Sequence, residues 1–363
     1  MPPGRAMRRL LRKRPVLGVA LLSGTATVVG LAIALSIDWF PVQASTAATD
    51  IDTVWDVLLI LSVPIFVLVM SVALYSVFAF RVDPGDTSDG APIHGNTKLE
   101  VVWVTIPFLI VIALSIYAAV VLSDIEAKEP DTMVVNVTGR QFVWSFEYPG
   151  QGKVKSNELV LPKDRRVEFR VTTEDVIHSF WVPQFRLKTD TVPGLTTKIR
   201  VTPNRLGNYD VVCAELCGLG HSTMRGAVRV VPPAEFEQWV AKRRQRAGDG
   251  GVAAAGGDAA AAGKAIFTDS GCGACHTLGD AGSDAKIGPA LDDLATGDAV
   301  RFGKQNGQSP EEYVRTAIVD PGAFVVPDFP AGTMPTSYGD DLSDEEIDTL
   351  VKYLLGVSGG KSK

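Results

Sequence analysis

Three apolar stretches, Val16 to Ile37, Val57 to Phe80 and Val101 to Leu122, restrict the first third of this chain to helices in a lipid bilayer. Each can cross ~30 Å of hydrocarbon at ~1.5 Å per residue. Pro64 and Pro107 fall inside the second and third, which argues against long soluble helices but is tolerated in membranes. Two buried core helices are the competing reading, and runs almost free of charge along their whole length argue against it. The second and third stretches therefore read as a transmembrane hairpin.

A basic segment (Arg5, Arg8, Arg9, Arg12, Lys13, Arg14) precedes Val16, as it would in a signal peptide or a signal anchor. The run is long for a signal peptide, yet Val42-Gln43-Ala44 offers a small-residue cleavage site, so both readings stay open. The basic residues place the N-terminus inside, Asp38 to Thr53 outside, and the loop from Arg81 to Lys98 inside again. Everything after Leu122 then faces the outer, oxidising side. The net charge of -6 combines this basic start with an acidic end around Asp340 to Asp348. No basic face runs through the folded parts, which excludes nucleic-acid binding.

With 363 residues the chain needs more than one core. Beyond Leu122 the pattern turns to short alternating segments: Met133 to Val137, Phe142 to Tyr148, Val167 to Val171, Lys198 to Val201, Tyr209 to Val212 and Ala227 to Val231. Turn residues separate them, so an antiparallel sandwich or barrel of roughly 100 residues is expected. Gln245 to Gly263 is nearly all Ala and Gly and reads as a flexible linker, its Gly pairs disfavouring one continuous helix. Gly263 to Phe267 and Pro310 to Val319 then have helical spacing, and Ser343 with Glu346 forms a capping box before an apolar face of Ile347, Leu350, Val351, Leu354 and Leu355. A small helical domain of that size is marginal on its core alone, and a covalently held cofactor would help it fold. The expected division is a basic N-terminus with signal or anchor helix over 1–54, a hairpin over 55–122, a β domain over 123–240, a linker over 241–263 and a helical domain over 264–358.

All four cysteines lie in two short metal signatures. In the first, Cys213, Cys217, His221 and Met224 sit on one loop after a strand, a soft ligand set that selects copper over hard cations. His178 is the candidate for a further imidazole, whereas His94 falls on the other side of the membrane. A Cys213–Cys217 disulfide would leave His178, His221 and Met224 unexplained. Structural zinc would have no use for Met224. A single blue copper needs one Cys, so the second thiolate argues for two coppers bridged by two sulfurs.

The run from Glu174 to Val230, with Leu187-Lys-Thr-Asp190-Thr-Val-Pro-Gly194 and the Cys-x-Glu-x-Cys-x-x-x-His-x-x-Met loop, resembles the copper domain of subunit II of haem-copper cytochrome c oxidases. The hairpin and the aromatic strand Gly139-Arg-Gln-Phe-Val-Trp-Ser-Phe-Glu-Tyr148 extend the resemblance to roughly residues 50 to 235. It implies a cupredoxin-like all-β domain with a dinuclear copper A centre. Cys213 and Cys217 would bridge the coppers, His178 and His221 would each ligate one, Met224 would be a weak ligand, and Glu215 would ligate through its backbone carbonyl. The Glu215 side chain would reach a magnesium at the subunit I interface. Glu100, at the inner start of the third apolar run, matches a carboxylate at the mouth of a proton-uptake path, and an interfacial charge is an equal reading. Phe142 departs from the family, which usually carries Trp there as the contact for a free cytochrome c, while Trp144 is retained.

The second signature, Cys272-Gly-Ala-Cys275-His276, is the attachment motif for c-type haem, with two thioethers and a proximal imidazole. A bare Cys-x-x-Cys redox pair would not explain His276. No His follows His276 and Met334 is the only Met after it, so Met334 is the distal ligand by elimination. Gly332-Thr-Met-Pro335 and Gly288-Pro289 also resemble loops of class I cytochromes c, and His/Met ligation suits an electron carrier.

Together these imply subunit II of a caa-type oxidase in a bacterial cell membrane, a multi-pass chain with its copper and haem domains on the outer face. Electrons would come from a cytochrome c or a quinol–cytochrome c reductase, enter at the haem, cross to copper A and leave to haem a of subunit I, where oxygen is reduced to water. Subunits I and III and membrane lipid are the implied partners. About 19 linker residues would span ~25 Å and hold the haem at a millimolar effective concentration. A membrane-anchored copper A and haem c carrier for another reductase is the alternative. A copper delivery or storage protein would have no reason to carry haem.

Overall fold

The computed structural model describes residues 13–82, 85, 87, 89–90, 92–248, 259–336 and 338–358. The chain divides into two compact units, residues 1–42 with 49–127, and residues 43–48 with 128–363.

The first unit is helical: α1 (Pro15–Ser36), α2 (Thr46–Ala79) and α3 (Thr97–Glu126). All three are long and apolar enough to cross a membrane. α1 packs on α2 at two glycines, since a Cβ on Gly18 would stand 2.6 Å from the Tyr75 hydroxyl and one on Gly30 3.1 Å from Val63. α2 starts well before the apolar run and carries Asp50, Asp52 and Asp56 in its first turns. Hydrocarbon thickness sets the length of the apolar run, not the length of the helix. Asn96 caps α3 by accepting the Leu99 N–H (3.2 Å), and Glu100 Oε1 accepts the Asn96 N–H in return (3.1 Å).

In the second unit ten strands form a sandwich: β1 (Met133–Arg140), β2 (Val143–Tyr148), β3 (Val154–Ser156), β4 (Leu159–Pro162), β5 (Val167–Thr173), β6 (His178–Trp181), β7 (Lys188–Thr191), β8 (Thr197–Val201), β9 (Gly207–Cys213) and β10 (Arg225–Val231). One sheet runs β3-β2-β1-β5-β8 and the other β4-β10-β9-β6-β7. Met133, Val135 and Val137 alternate inward along β1 and meet Phe146, Phe169 and Phe180 in the core. The expected antiparallel arrangement needs correction, because β1 pairs β5 and β4 pairs β10 in parallel. In each pair several elements intervene in the chain, which gives the crossover a parallel pair requires.

Residues 43–48 belong to this sandwich. The Ala44 N–H donates to the Gln184 carbonyl (3.0 Å), the Asn204 N–H donates to the Ala44 carbonyl (3.1 Å), and Ala44 is fully buried. The small residues Val42-Gln43-Ala44 thus end in the backbone pairing of a core.

α4 (Pro233–Gly248) follows β10 and lays Phe236 and Trp239 against Tyr148, whose hydroxyl donates to the Val160 carbonyl (3.0 Å) and accepts the Val160 N–H (2.8 Å). The Ala/Gly stretch expected as a linker is helical at both margins, in α4 up to Gly248 and in α5 (Ala259–Asp269). Residues 249–258, where the rest of that expectation falls, lie outside the described residues.

The C-terminal domain continues with β11 (Thr277–Leu278), β12 (Ser283–Asp284), α6 (Asp298–Gln305), α7 (Pro310–Val319), α8 (Tyr338–Asp341) and α9 (Asp344–Val357). Gly263 of α5 lets α9 approach so closely that a Cβ there would stand 2.1 Å from Tyr353 Cβ. The capping box of α9 is present as expected, with the Glu346 N–H donating to Ser343 Oγ (3.3 Å) and the Ser343 N–H donating to Glu346 Oε2 (3.0 Å).

Candidate metal and haem sites

The copper-type residues converge. β9 ends at Cys213, the loop beyond it supplies Cys217, His221 and Met224, and β6 opens with His178. Cys213 Sγ lies 3.8 Å from Cys217 Sγ and 3.9 Å from His178 Nδ1. Cys217 Sγ lies 3.6 Å from His221 Nδ1 and 3.8 Å from Met224 Sδ, and the Glu215 carbonyl is 3.2 Å from Cys213 Sγ. His178, Cys213, Cys217 and Met224 are buried, whereas the Glu215 side chain is exposed.

This arrangement fits copper better than the alternatives. The two sulfurs are not joined and lie 3.8 Å apart, close enough to share metal between them. A buried thioether facing the cluster adds a soft donor that structural zinc would not use.

Sequence reading did not single out Asp175 and Gln141, which brace the cluster. Asp175 Oδ1 accepts the His178 Nε2–H (2.8 Å) and Oδ2 accepts the Gln141 N–H (2.7 Å). The Gln141 side chain in turn donates to the Cys217 carbonyl. An Asp three residues before the candidate ligand His178 was the available signal. Burial works against the charged form of Asp175, but the donors from Gln141, His178, Val176 and Thr173 outweigh it and hold the carboxyl below its ordinary range. Burial likewise opposes the His178 cation and is outweighed by Cys213 and Asp175. Between the thiols, burial is overcome at Cys213 by His178 and nearby backbone groups, which bring it down to about 6. Burial and the neighbouring Cys213 charge push Cys217 up to about 12.

Trp144 sits inside the sandwich, edge-on to His178 (centroids 6.0 Å apart) and to Phe180 (5.6 Å). Phe142 is also buried, beside Gly218 and Gly220 of the copper loop.

In the C-terminal domain one pocket is lined by Cys272, Cys275, His276, Pro289 and Met334. The His276 Nδ1–H donates to the Pro289 carbonyl (2.8 Å), which leaves Nε2 as the free donor. Gly288 is required here: a Cβ on it would stand 2.6 Å from His276 Cε1. The apolar walls, the two unlinked thiols and the oriented imidazole fit a covalently attached haem.

A membrane-anchored chain with a soft sulfur and imidazole cluster in a β-sandwich, followed by a small helical haem-type domain, is an electron-transfer protein of a membrane complex. Its parts match known families. Residues 151–231 match Cytochrome C oxidase subunit II, periplasmic domain, residues 32–121 match its transmembrane domain, and residues 260–358 match Cytochrome c. A cytochrome c oxidase subunit 2 from Thermostichus vulcanus is 36% identical over 260 residues, 56% of this chain and 77% of that one. One from Bacillus sp. (strain PS3) is 32% identical over 284 residues, 73% of this chain and 76% of that one. One from Alkalihalophilus pseudofirmus is 29% identical over 311 residues, 82% and 86% of the two chains. The chain belongs to the cytochrome c oxidase subunit II family and carries a C-terminal cytochrome c domain. It is thus a membrane subunit of a haem-copper terminal oxidase, with copper A and haem c as its cofactors.

Proposed function

We propose that the chain takes electrons from a cytochrome c or a quinol–cytochrome c reductase at its haem domain and delivers them from its copper domain to haem a of subunit I. Loaded with haem c and the copper pair, it conducts one electron at a time, while oxygen reduction belongs to subunit I. The observation that carries this reading is the convergence of two thiolates, two imidazoles, a thioether and the Glu215 carbonyl in one cluster, on a chain that also holds the haem pocket.

Each residue has a physical task in this reading. Cys213, Cys217, His178 and His221 would hold the copper pair, the two thiolates shared between the metals. The buried Met224 is a weak ligand that keeps water out. Cys272 and Cys275 would tether the haem, His276 and Met334 would hold its iron, and Trp144 packs behind His178. Glu215 has an exposed side chain with which to meet a magnesium at subunit I, and Leu216 and Leu219, 78% and 88% exposed beside it, supply apolar surface for that docking. Subunit III completes the assembly. Glu100 at the start of α3 is proposed as a proton-uptake carboxylate, and its bond to the Asn96 N–H is also what a helix cap would make.

The test is to purify the intact complex and record metal content and spectra. Copper A together with haem c and haem a is expected. A complex without haem a would overturn the assignment.

A further inference from the structure

Among the described residues, contacts at Gly220 and Gly271 join the haem domain to the copper domain, each next to a residue of one of the two metal signatures, and an ion pair adds to them. Ile287 lines the haem pocket and its N–H donates to the carbonyl of Cys275 (3.1 Å), yet its side chain packs against the core of the β-sandwich. It meets that core at Gly220, next to His221 in the copper loop. A Cβ on Gly220 would stand 2.7 Å from Ile287 Cδ1 and 2.4 Å from Phe142 Cδ2, so both side chains converge on this glycine. Gly271, next to Cys272, lies against Val143, where a Cβ would meet Cγ2 at 2.7 Å. At the margin Arg243 of α4 pairs with Asp269 at the end of α5 (3.0 Å), the two side chains 18% and 33% exposed.

We propose that Ile287, seated on Gly220 beside Phe142, and the Arg243–Asp269 ion pair dock the chain's own haem domain over the copper loop and close that face to any other protein. The proposal rests on the reading of position 142 as part of the electron-accepting face. It explains why that position holds Phe. A ring shielded by a tethered domain needs an apolar surface that matches Ile287, and a Trp N–H buried there would need a partner. The occupant is fixed by the chain itself, because the residues that cover Gly220 and Val143 are those that frame the haem motif. The ion pair is partly exposed, which makes the docking sensitive to salt.

Hydroxyl-radical labelling of the intact oxidase complex, read by mass spectrometry, tests this directly. Phe142 should be labelled slowly in the wild type. Arg243→Glu and Ile287→Asp should each raise its labelling several-fold, and the swap Arg243→Glu with Asp269→Arg should restore protection. Unchanged copper and haem absorption in each variant verifies that both domains are folded. Equal labelling of Phe142 in the wild type and both single variants would overturn the docking. So would a charge swap that remains as exposed as Arg243→Glu. Labelling does not depend on electron flow. A protected Phe142 in a complex that cannot pass electrons from haem to copper supports the docking and faults the conduction reading. A freely labelled Phe142 in a fully active wild-type complex overturns the docking alone.

Discussion

The Asp175 carboxylate accepts the Nε2–H of His178 at 2.8 Å, and this bond fixes the imidazole tautomer so that Nδ1, 3.9 Å from Cys213 Sγ, is the free donor. The Asp175→Asn variant keeps the shape but removes the charge that raises the basicity of the ligand. Loss of such a partner typically costs about 10–100-fold in metal affinity. Copper titration of the metal-free chain should show a loss of that size together with a shifted absorption spectrum. Identical titrations would mean that Asp175 braces only the Thr173–His178 turn.

The proposed haem attachment through Cys272 and Cys275 and the proposed iron ligands His276 and Met334 are separable by substitution. Met334→Ala should leave haem bound through Cys272 and Cys275 but lower its reduction potential, since His/Met ligation raises it. Potentiometric titration measures the shift, and denaturing gels stained for haem check the attachment. An unchanged potential would remove Met334 from the iron.

Much of this organisation is legible in the sequence because its strongest signals are local. Apolar runs, the Cys-x-x-Cys-His motif and the Ser343–Glu346 capping box each fit within one helix or loop. β3, β4, β6 and β7 escape notice because three or four residues are too few to display alternation, and β6 carries His178. The helical turns of α2 before its apolar run and the helical margins of the Ala/Gly stretch are hidden for another reason. Polar or small residues there are helical through continuity with the turns that follow or precede them. Asp175 lies only three residues before His178, but Gln141 joins the cluster through contacts across 34 and 76 positions of chain, which no local pattern encodes.

Copper removal should expose the thiol pair to oxidation. With Sγ atoms 3.8 Å apart and Cys213 depressed to about 6 despite its burial, the metal-free cluster holds one thiolate beside one thiol at neutral pH. A mild disulfide oxidant should form one Cys213–Cys217 bond, and copper should reload only after reduction. Peptide mapping detects the bond, and copper uptake before and after a reductant checks its consequence.

Glu168 on β5 accepts from Arg200 at 2.6 and 3.0 Å and from Arg170 at 3.1 Å. Burial alone would raise its pKa, but the two guanidinium groups outweigh it and lower the value. A lowered folded pKa means stability present above the ordinary carboxylate value and lost as pH falls through the folded one. Glu168→Gln should therefore cost about 1–3 kcal/mol at neutral pH. The gap to wild type should close in strongly acidic buffer. Denaturant unfolding of both proteins across that range reads the difference, and a gap independent of pH would assign the loss to packing instead.

Cutting the chain between α4 and α5 tests what the covalent connection contributes beyond the docking contacts. A protease site inserted within 249–258 leaves Ile287, Gly220, Arg243 and Asp269 unchanged, so the surfaces that meet stay the same. What is lost is the effective concentration of about millimolar that a short covalent connection provides. A partly exposed ion pair contributes little by itself, so the separated domains are expected to part at nanomolar concentration. Turnover after cleavage should therefore fall on dilution and recover in proportion to added haem domain. Unchanged turnover at high dilution would show either that the docked surfaces bind far more tightly than a partly exposed ion pair implies or that electrons reach the copper without the tethered haem. Separating the cleaved fragments by gel filtration distinguishes the two, because only the first outcome keeps the haem domain with the complex.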